Sequence, residues 1–217
     1  MHYAELWERF VRAGRVEPTR RPTRGRHFKA QVVAIVNDPT LFRRLDRIRQ
    51  AVAGFPGAVA VPDHFLHVPI LTLGPVAPRR ARAGEWSAGG LARLAESGRA
   101  LLADRPPFAI EIANVNATAS EVFAELHPPE QIVSLHERLC ALGPVDCDQP
   151  FVPTLPLAHF TRPGNGTHLA HTLEWFRNRP IGRIRIAQLT VIVVHARRLH
   201  PARHRLAELP LGSAPAG

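Results

Sequence analysis

Two short runs decide how this chain is read: Leu66-His67-Val68-Pro69-Ile70-Leu71-Thr72-Leu73 and Pro153-Thr154-Leu155-Pro156-Leu157-Ala158-His159-Phe160. Each is apolar and followed by turn formers, Gly74-Pro75 after the first and Gly164-Asn165-Gly166 after the second. Strands are therefore predicted over residues 64–73 and 151–160. Within them a polar residue, an aliphatic, a proline and another aliphatic recur in one order: His67-Val68-Pro69-Ile70 and Thr154-Leu155-Pro156-Leu157. A single match would say little. Two, in corresponding strands of the two halves, point to a duplicated lobe.

The flanking sequence supports two halves of one plan. Residues 30–36 (AQVVAIV) predict a buried strand. Asn37-Asp38-Pro39 then starts a helix, with Asp38 as cap and Leu41, Phe42, Leu45, Ile48 and Val52 on one face. A helix is predicted around 87–103, strands at 108–113 and 121–126, and a further helix after Pro128-Pro129. In the last third, Thr167 is read as the cap of another helix. Residues 183–195 (RIRIAQLTVIVVH) are read as one long strand, and the tail through Leu211 as a short edge strand. Ahead of all this, Leu6, Trp7, Phe10 and Val11 fall at helical spacing and precede a basic loop with Arg20, Arg21, Arg24 and Arg26. The expected class is α+β: two similar lobes of antiparallel-rich sheet, with outer helices, around a central groove. The expected organisation is an N-terminal helix and basic loop (1–26), one bilobal domain (27–211) and a flexible tail (212–217).

Composition narrows the partners. The 217 residues carry a net charge of +10, nearly all of it arginine, since Lys29 is the only lysine. Arginine presents a planar fork of donors to phosphate, so the balance suits a nucleotide or RNA; a solvated basic surface would give the same total. No apolar run approaches the roughly 18–20 residues of a membrane span. The first residues show no basic segment followed by an apolar stretch, so a signal peptide is not expected. Cys140 and Cys147 can pair, but two cysteines make neither a disulfide framework nor a zinc site, and the simplest reading is a reducing cytoplasm.

The repeated strand motif resembles that of the 2H phosphoesterases, the family of bacterial 2′-5′ RNA ligases and RNA 2′,3′-cyclic phosphodiesterases. Those proteins carry a His-x-Thr/Ser-x strand motif in each lobe, facing a shared groove. Here His67-Val68-Pro69-Ile70 with Leu71-Thr72-Leu73-Gly74 resembles the first copy, and Thr154-Leu155-Pro156-Leu157 after Phe151-Val152-Pro153 resembles the second. The resemblance spans residues 27–211 in element order, and its specific residues are confined to these sites. It implies metal-free acid/base chemistry on RNA-terminal or nucleotide cyclic phosphodiesters, with no cofactor. Residues two apart on a strand share a face, so a histidine and a hydroxyl reach the groove together and two histidines can divide acid and base roles.

This chain departs from the motif in three of four places. His67 stays as the catalytic candidate, but Pro69 replaces its hydroxyl partner, Thr154 the second histidine and Pro156 the second hydroxyl. Thr154 is then expected as a phosphate contact beside Pro69 and Pro156, with Arg79 and Arg162 as groove-rim residues and Arg80 and Arg197 also near strand ends. In a regular strand His64, three before His67, and His159, five after Thr154, both face away from the groove. Only a bulge at Pro69 or Pro156 changes that parity.

Other chemistries find little foothold. His168 and His171, or His200 and His204, are too few for a zinc site, and no metal is expected. No Gly-rich loop follows a strand in phosphate-cradle form, and no serine sits in a Gly-x-Ser-x-Gly elbow. Without the second strand's echo, His67 would read as an ordinary half-buried histidine; with it, His67 reads as groove-facing. Three expectations stand: an impaired or altered cyclic phosphodiesterase-like enzyme, an inactive module that binds RNA ends or nucleotide phosphates, and a structural or partner-binding protein with no nucleotide ligand.

Overall fold

A computed structural model describes residues 2–19, 27–77, 84–143, 145, 147 and 150–212. In chain order its elements are α1 (Tyr3–Ala13), β1 (Arg15–Val16), β2 (Phe28–Ile35), α2 (Pro39–Ala53), β3 (Ala58–Ala60) and β4 (His67–Pro75). Then come α3 (Ala88–Leu102), β5 (Phe108–Ala117), β6 (Glu121–His127), α4 (Glu130–Cys140), β7 (Thr154–Phe160) and β8 (Gly164–Asn165). The chain closes with α5 (Gly166–Glu174), β9 (Pro180–Ile186), β10 (Gln188–His195) and β11 (His204–Pro210).

Local chemistry sets the helix ends. Asp38 accepts from the amides of Thr40 and Leu41, and Pro39 needs no amide partner at the first position of α2. Ser87 caps α3 through the Gly90 amide. Gly14 ends α1 at φ 60, a left-handed conformation that a side chain would disfavour. For α5 the cap is Asn165, not Thr167: the Asn165 side chain accepts from the His168 amide. The shift has a cause, because Gly164–Asn165 pairs with Arg15–Val16 and fixes the helix start two residues earlier.

Two antiparallel sheets carry the α+β fold, one in the order β11-β10-β2-β4 and the other β3-β7-β6-β5-β9. Helices α3 and α4 lie on the first sheet, through β11 and β4, while α2 packs on β3, β7 and β9 of the second. The sheets meet where β4 lies against β7, so the two echoing strands line the groove between the lobes. The long strand expected over 183–195 is in fact two. Strand β9 pairs with β5, β10 pairs with β2 and β11, and the chain changes sheet at Ala187. Helix α1 is fastened to the second sheet: Asn116 Nδ2 donates to the Tyr3 carbonyl, and the Tyr3 hydroxyl donates to the Pro153 carbonyl at 2.6 Å. No helix among the described residues is long and apolar enough to cross a membrane.

One buried charge ties α2 to the segment that leads into His67. Arg49, 7% exposed, donates to the carbonyls of Val61 and Phe42 and to the carboxylates of Asp63 and Asp46. Arg49→Met keeps the apolar stem but removes every donor. Because hydrogen bonds to charged groups contribute about 1.5–3 kcal/mol each and the two carboxylates are half-exposed, a net loss of about 2–3 kcal/mol is expected. A lowered urea midpoint at unchanged slope would register it.

Candidate functional site

Both echoing strands are bulged at the same place. Along β4, Val33 pairs with Pro69 and Val32 with Leu71, which leaves Ile70 as the extra residue. Along β7, Phe123 pairs with Pro156 and Val122 with Ala158, which leaves Leu157 as the extra residue. Each bulge directly follows a proline that has no amide to give to the ladder. An extra residue reverses the parity of whatever follows it. On β7 the residues facing Glu125, Phe123 and Glu121 of β6 are Thr154, Pro156 and His159, so these three share one face. On β4 the corresponding face carries His67, Pro69 and Thr72. The expectation that His159 faces away is therefore corrected: the bulge at Leu157 turns it into the groove. His64 stays out of the strand, in the 3-10 turn Asp63–Phe65.

Pseudo-equivalent positions thus hold mirrored residues. One strand reads histidine, proline, bulge, threonine; the other reads threonine, proline, bulge, histidine. A cavity of about 200 Å³ lies between the sheets and is lined by His67 and Pro69 from β4, Lys29 and Gln31 from β2, Glu121 from β6, and Pro156 and His159 from β7. His195 and Arg198, at the end of β10 and just beyond it, complete a basic edge.

The electrostatics divide the cavity's titratable groups. His67 is 5% exposed, and burial, opposed by its bond to Phe65 and reinforced by Arg203 and Lys29, pushes its pKa down to about 4. Its Nδ1 lies 2.6 Å from the Phe65 carbonyl oxygen. Only N–H can make that contact, so Nδ1 carries the proton and Nε2 keeps its lone pair. His67 is therefore a neutral imidazole at neutral pH, with the Nε2 lone pair unprotonated. Burial also lowers the Lys29 pKa. Across the cavity, burial raises Glu121 to about 7. His159 stands between two partners, with Nδ1 at 3.0 Å from His200 Nε2 and Nε2 at 3.9 Å from the Glu121 carboxylate. His200 in turn lies against Phe65, whose ring meets His67 edge-on. A neutral base, a second histidine and a carboxyl near its midpoint at pH 7 are the parts that proton transfer needs.

The site residues expected from the sequence are distributed unevenly. His67, Pro69 and Pro156 line the cavity; Thr154 and Arg162 do not. Thr154 is the first residue of β7, paired with Glu125, at the end of the strand where Tyr3 bonds to Pro153. Arg162 is exposed and lies over Gly57 at the outer end of the β3–β7 pair. At the end of β10, Arg198 rather than Arg197 reaches the cavity. Arg79 and Arg80, like the basic loop at 20–26, lie outside the described residues. Sequence reasoning weighed His159 but turned it away from the groove, and it passed over Glu121 and Lys29 as site residues. The signal for His159 was the proline before the bulge; Lys29 was marked only by being the chain's single lysine.

No protein-family model and no curated protein matches this sequence. Solved structures do. TT0787 of Thermus thermophilus superposes with a TM-score of 0.61 at 18% identity, covering 85% of this chain and 98% of that one. E. coli LigT complexed with 3′-AMP gives 0.56 at 18% identity, covering 84% and 97%. The protein ATU0111 of Agrobacterium tumefaciens gives 0.55 at 13% identity, covering 85% of each chain. The fold of this chain is the LigT fold, as the strand motif implied.

Proposed function

We propose that the cavity between β4 and β7 takes a 2′,3′-cyclic phosphate end of RNA or a nucleotide and opens it by acid/base chemistry of altered form. The observation that carries this reading is the presence of two histidines, His67 and His159, on facing strands of one basic cavity. In the reaction, His67 Nε2 takes a proton from water as the water oxygen bonds to phosphorus. The phosphorus–oxygen bond to one ribose oxygen breaks, and that oxygen receives a proton from the His159 side. Lys29 and Arg198 offset charge on the non-bridging oxygens. The cavity volume, about 200 Å³, is below the roughly 300–1,000 Å³ of drug-sized sites and suits a sugar-phosphate end with its base outside. LigT, which shares the fold, has been crystallised with ATP, 3′-AMP, NADP+ and phosphate.

A second reading has its own observation. Pro69 and Pro156 line the cavity where hydroxyls would hold phosphate in the family that the motif resembles, which favours a module that binds such ends without turnover. The deciding experiment is hydrolysis of an RNA oligonucleotide with a 2′,3′-cyclic phosphate end, run with direct binding of the same oligonucleotide. Ring opening supports the enzyme; retention without opening supports the binding module. Neither retention nor opening overturns both. In either favourable case affinity should fall as salt rises, because phosphate contacts release counterions.

A further inference from the structure

A second cluster of reactive side chains lies outside the cavity, at the end of α4. We propose that His136, Cys140 and Cys147 form a redox-gated site for a thiophilic divalent cation, with Zn²⁺ as the fitting ion. His136 and Cys140 stand four apart on α4 and so share a helix face. Cys147 reaches the same point and is bonded to Cys140. One ligand atom from each of the three residues lies within 4.8 Å of the others.

The histidine is prepared as a ligand. Its Nδ1 donates to the Ile70 carbonyl at 2.8 Å, which leaves the lone pair on Nε2. That Nε2 lies 3.5 Å from Cys140 Sγ. Zinc bonds of roughly 2.0–2.1 Å to nitrogen and 2.3 Å to sulfur, at a tetrahedral angle, place the two ligand atoms about 3.6 Å apart. The His136 ring is held in that orientation by stacking on Phe151, with centroids 4.0 Å apart and planes 8° from parallel. A backbone carbonyl on the far ring nitrogen is the usual way a metal-binding histidine is oriented. Counting cysteines alone had set zinc aside; the third ligand comes from the helix. Three protein ligands leave one position for water.

Oxidation state gates the site. In the disulfide neither sulfur is a thiolate. A thiol reductant supplies two electrons and two protons: the Cys140–Cys147 bond breaks, two cysteine thiols form, and two reductant thiols join as a disulfide. Binding of the ion then displaces the thiol protons. The anchoring carbonyl belongs to Ile70, the bulged residue of the strand that carries His67, so the cluster adjoins the structure that shapes the cavity without sharing a side chain with it.

The test uses the full chain, reduced with a phosphine without oxygen, freed of reductant and titrated with Co²⁺. One Co²⁺ per chain is expected, with a near-ultraviolet thiolate-to-cobalt charge-transfer band that Zn²⁺ abolishes by displacement. The oxidised chain should give no such band. Cys147→Ser and His136→Gln should each weaken binding by more than the roughly 10- to 100-fold typical of losing an outer-shell partner. Absence of the band in the reduced chain overturns the proposal. So does binding unchanged in both variants, or cobalt bound without thiolate character, which would place it on histidines such as His159 and His200.

Discussion

Alanine at His159 is expected to lower turnover of a 2′,3′-cyclic phosphate end about as far as alanine at His67, by roughly a hundred- to ten-thousand-fold. Thr154→Ala, by contrast, should leave turnover within a few-fold of the parent. The expectation inverts what the strand motif suggests, since Thr154 holds the motif position and His159 does not. It rests on the bulge at Leu157, which puts His159 on the cavity face, and on the position of Thr154 outside the lining. Roles follow from the neighbours. His67 has its Nδ1 proton committed to the Phe65 carbonyl and is neutral, which on the proposed reading assigns it the part of base. His159 has the Glu121 carboxyl 3.9 Å away and His200 at 3.0 Å, which on the same reading puts it on the side that delivers a proton. Because two groups serving one proton relay do not act independently, the His67→Ala/His159→Ala double variant should lose little beyond either single one. Single-turnover rates at saturating substrate would measure this. Wild-type rates in His159→Ala with a collapse in Thr154→Ala would return the chemistry to the motif position and remove His159 from it.

The sequence carried the ends of elements more clearly than their partners. Asp38 and Pro39 announce the start of α2 because a cap is a contact made within a few residues, whereas Thr167 lost that role to Asn165 once β8 paired with β1. The duplicated strands were legible because one physical demand, a half-buried strand facing a groove, was written twice. What stayed hidden depended on pairing. Residues 183–195 read as one strand because extended backbone looks alike whichever sheet it joins. Yet the buried positions Ile184, Ile186, Leu189 and Val191 break period two between 186 and 189, at the sheet change. The same holds for the site. A bulge is a mismatch between two strands, so parity along β7 alone placed His159 on the wrong face; Pro156 marked the spot without saying which residue would be extra. Glu121 and Lys29 enter the cavity from strands that carry no motif, and only the assembled groove brings them beside His67.

That assembly should be visible in stability as well as in chemistry, through two titrations that oppose each other. His67 falls from the ordinary 6.5 to about 4, and Glu121 rises from 4.5 to about 7, both chiefly through burial. For His67 the folded chain refuses a proton that the unfolded chain accepts. Its neutral form stabilises the fold fully above pH 6.5, and this contribution is lost as pH falls toward 4. For Glu121 the folded chain holds a proton that the unfolded chain releases. Its neutral form stabilises the fold fully below pH 4.5, and this is lost as pH rises through 7. Each shift corresponds to about 3 kcal/mol. The windows overlap and the signs are opposite, so the parent's stability should change little with pH between about 4.5 and 6.5 on account of this pair. Removing one member exposes the other. Glu121→Gln should lose about 3 kcal/mol of stability on going from pH 7 to pH 4, while His67→Gln should gain about as much from pH 7 to pH 4.5. Urea midpoints across that range, compared with the parent at each pH, separate the two slopes. Parallel slopes in all three proteins would mean that neither group is held in its neutral form. Opposite slopes would establish that the cavity holds a proton on its carboxyl up to about pH 7 and keeps one off its imidazole down to about pH 4.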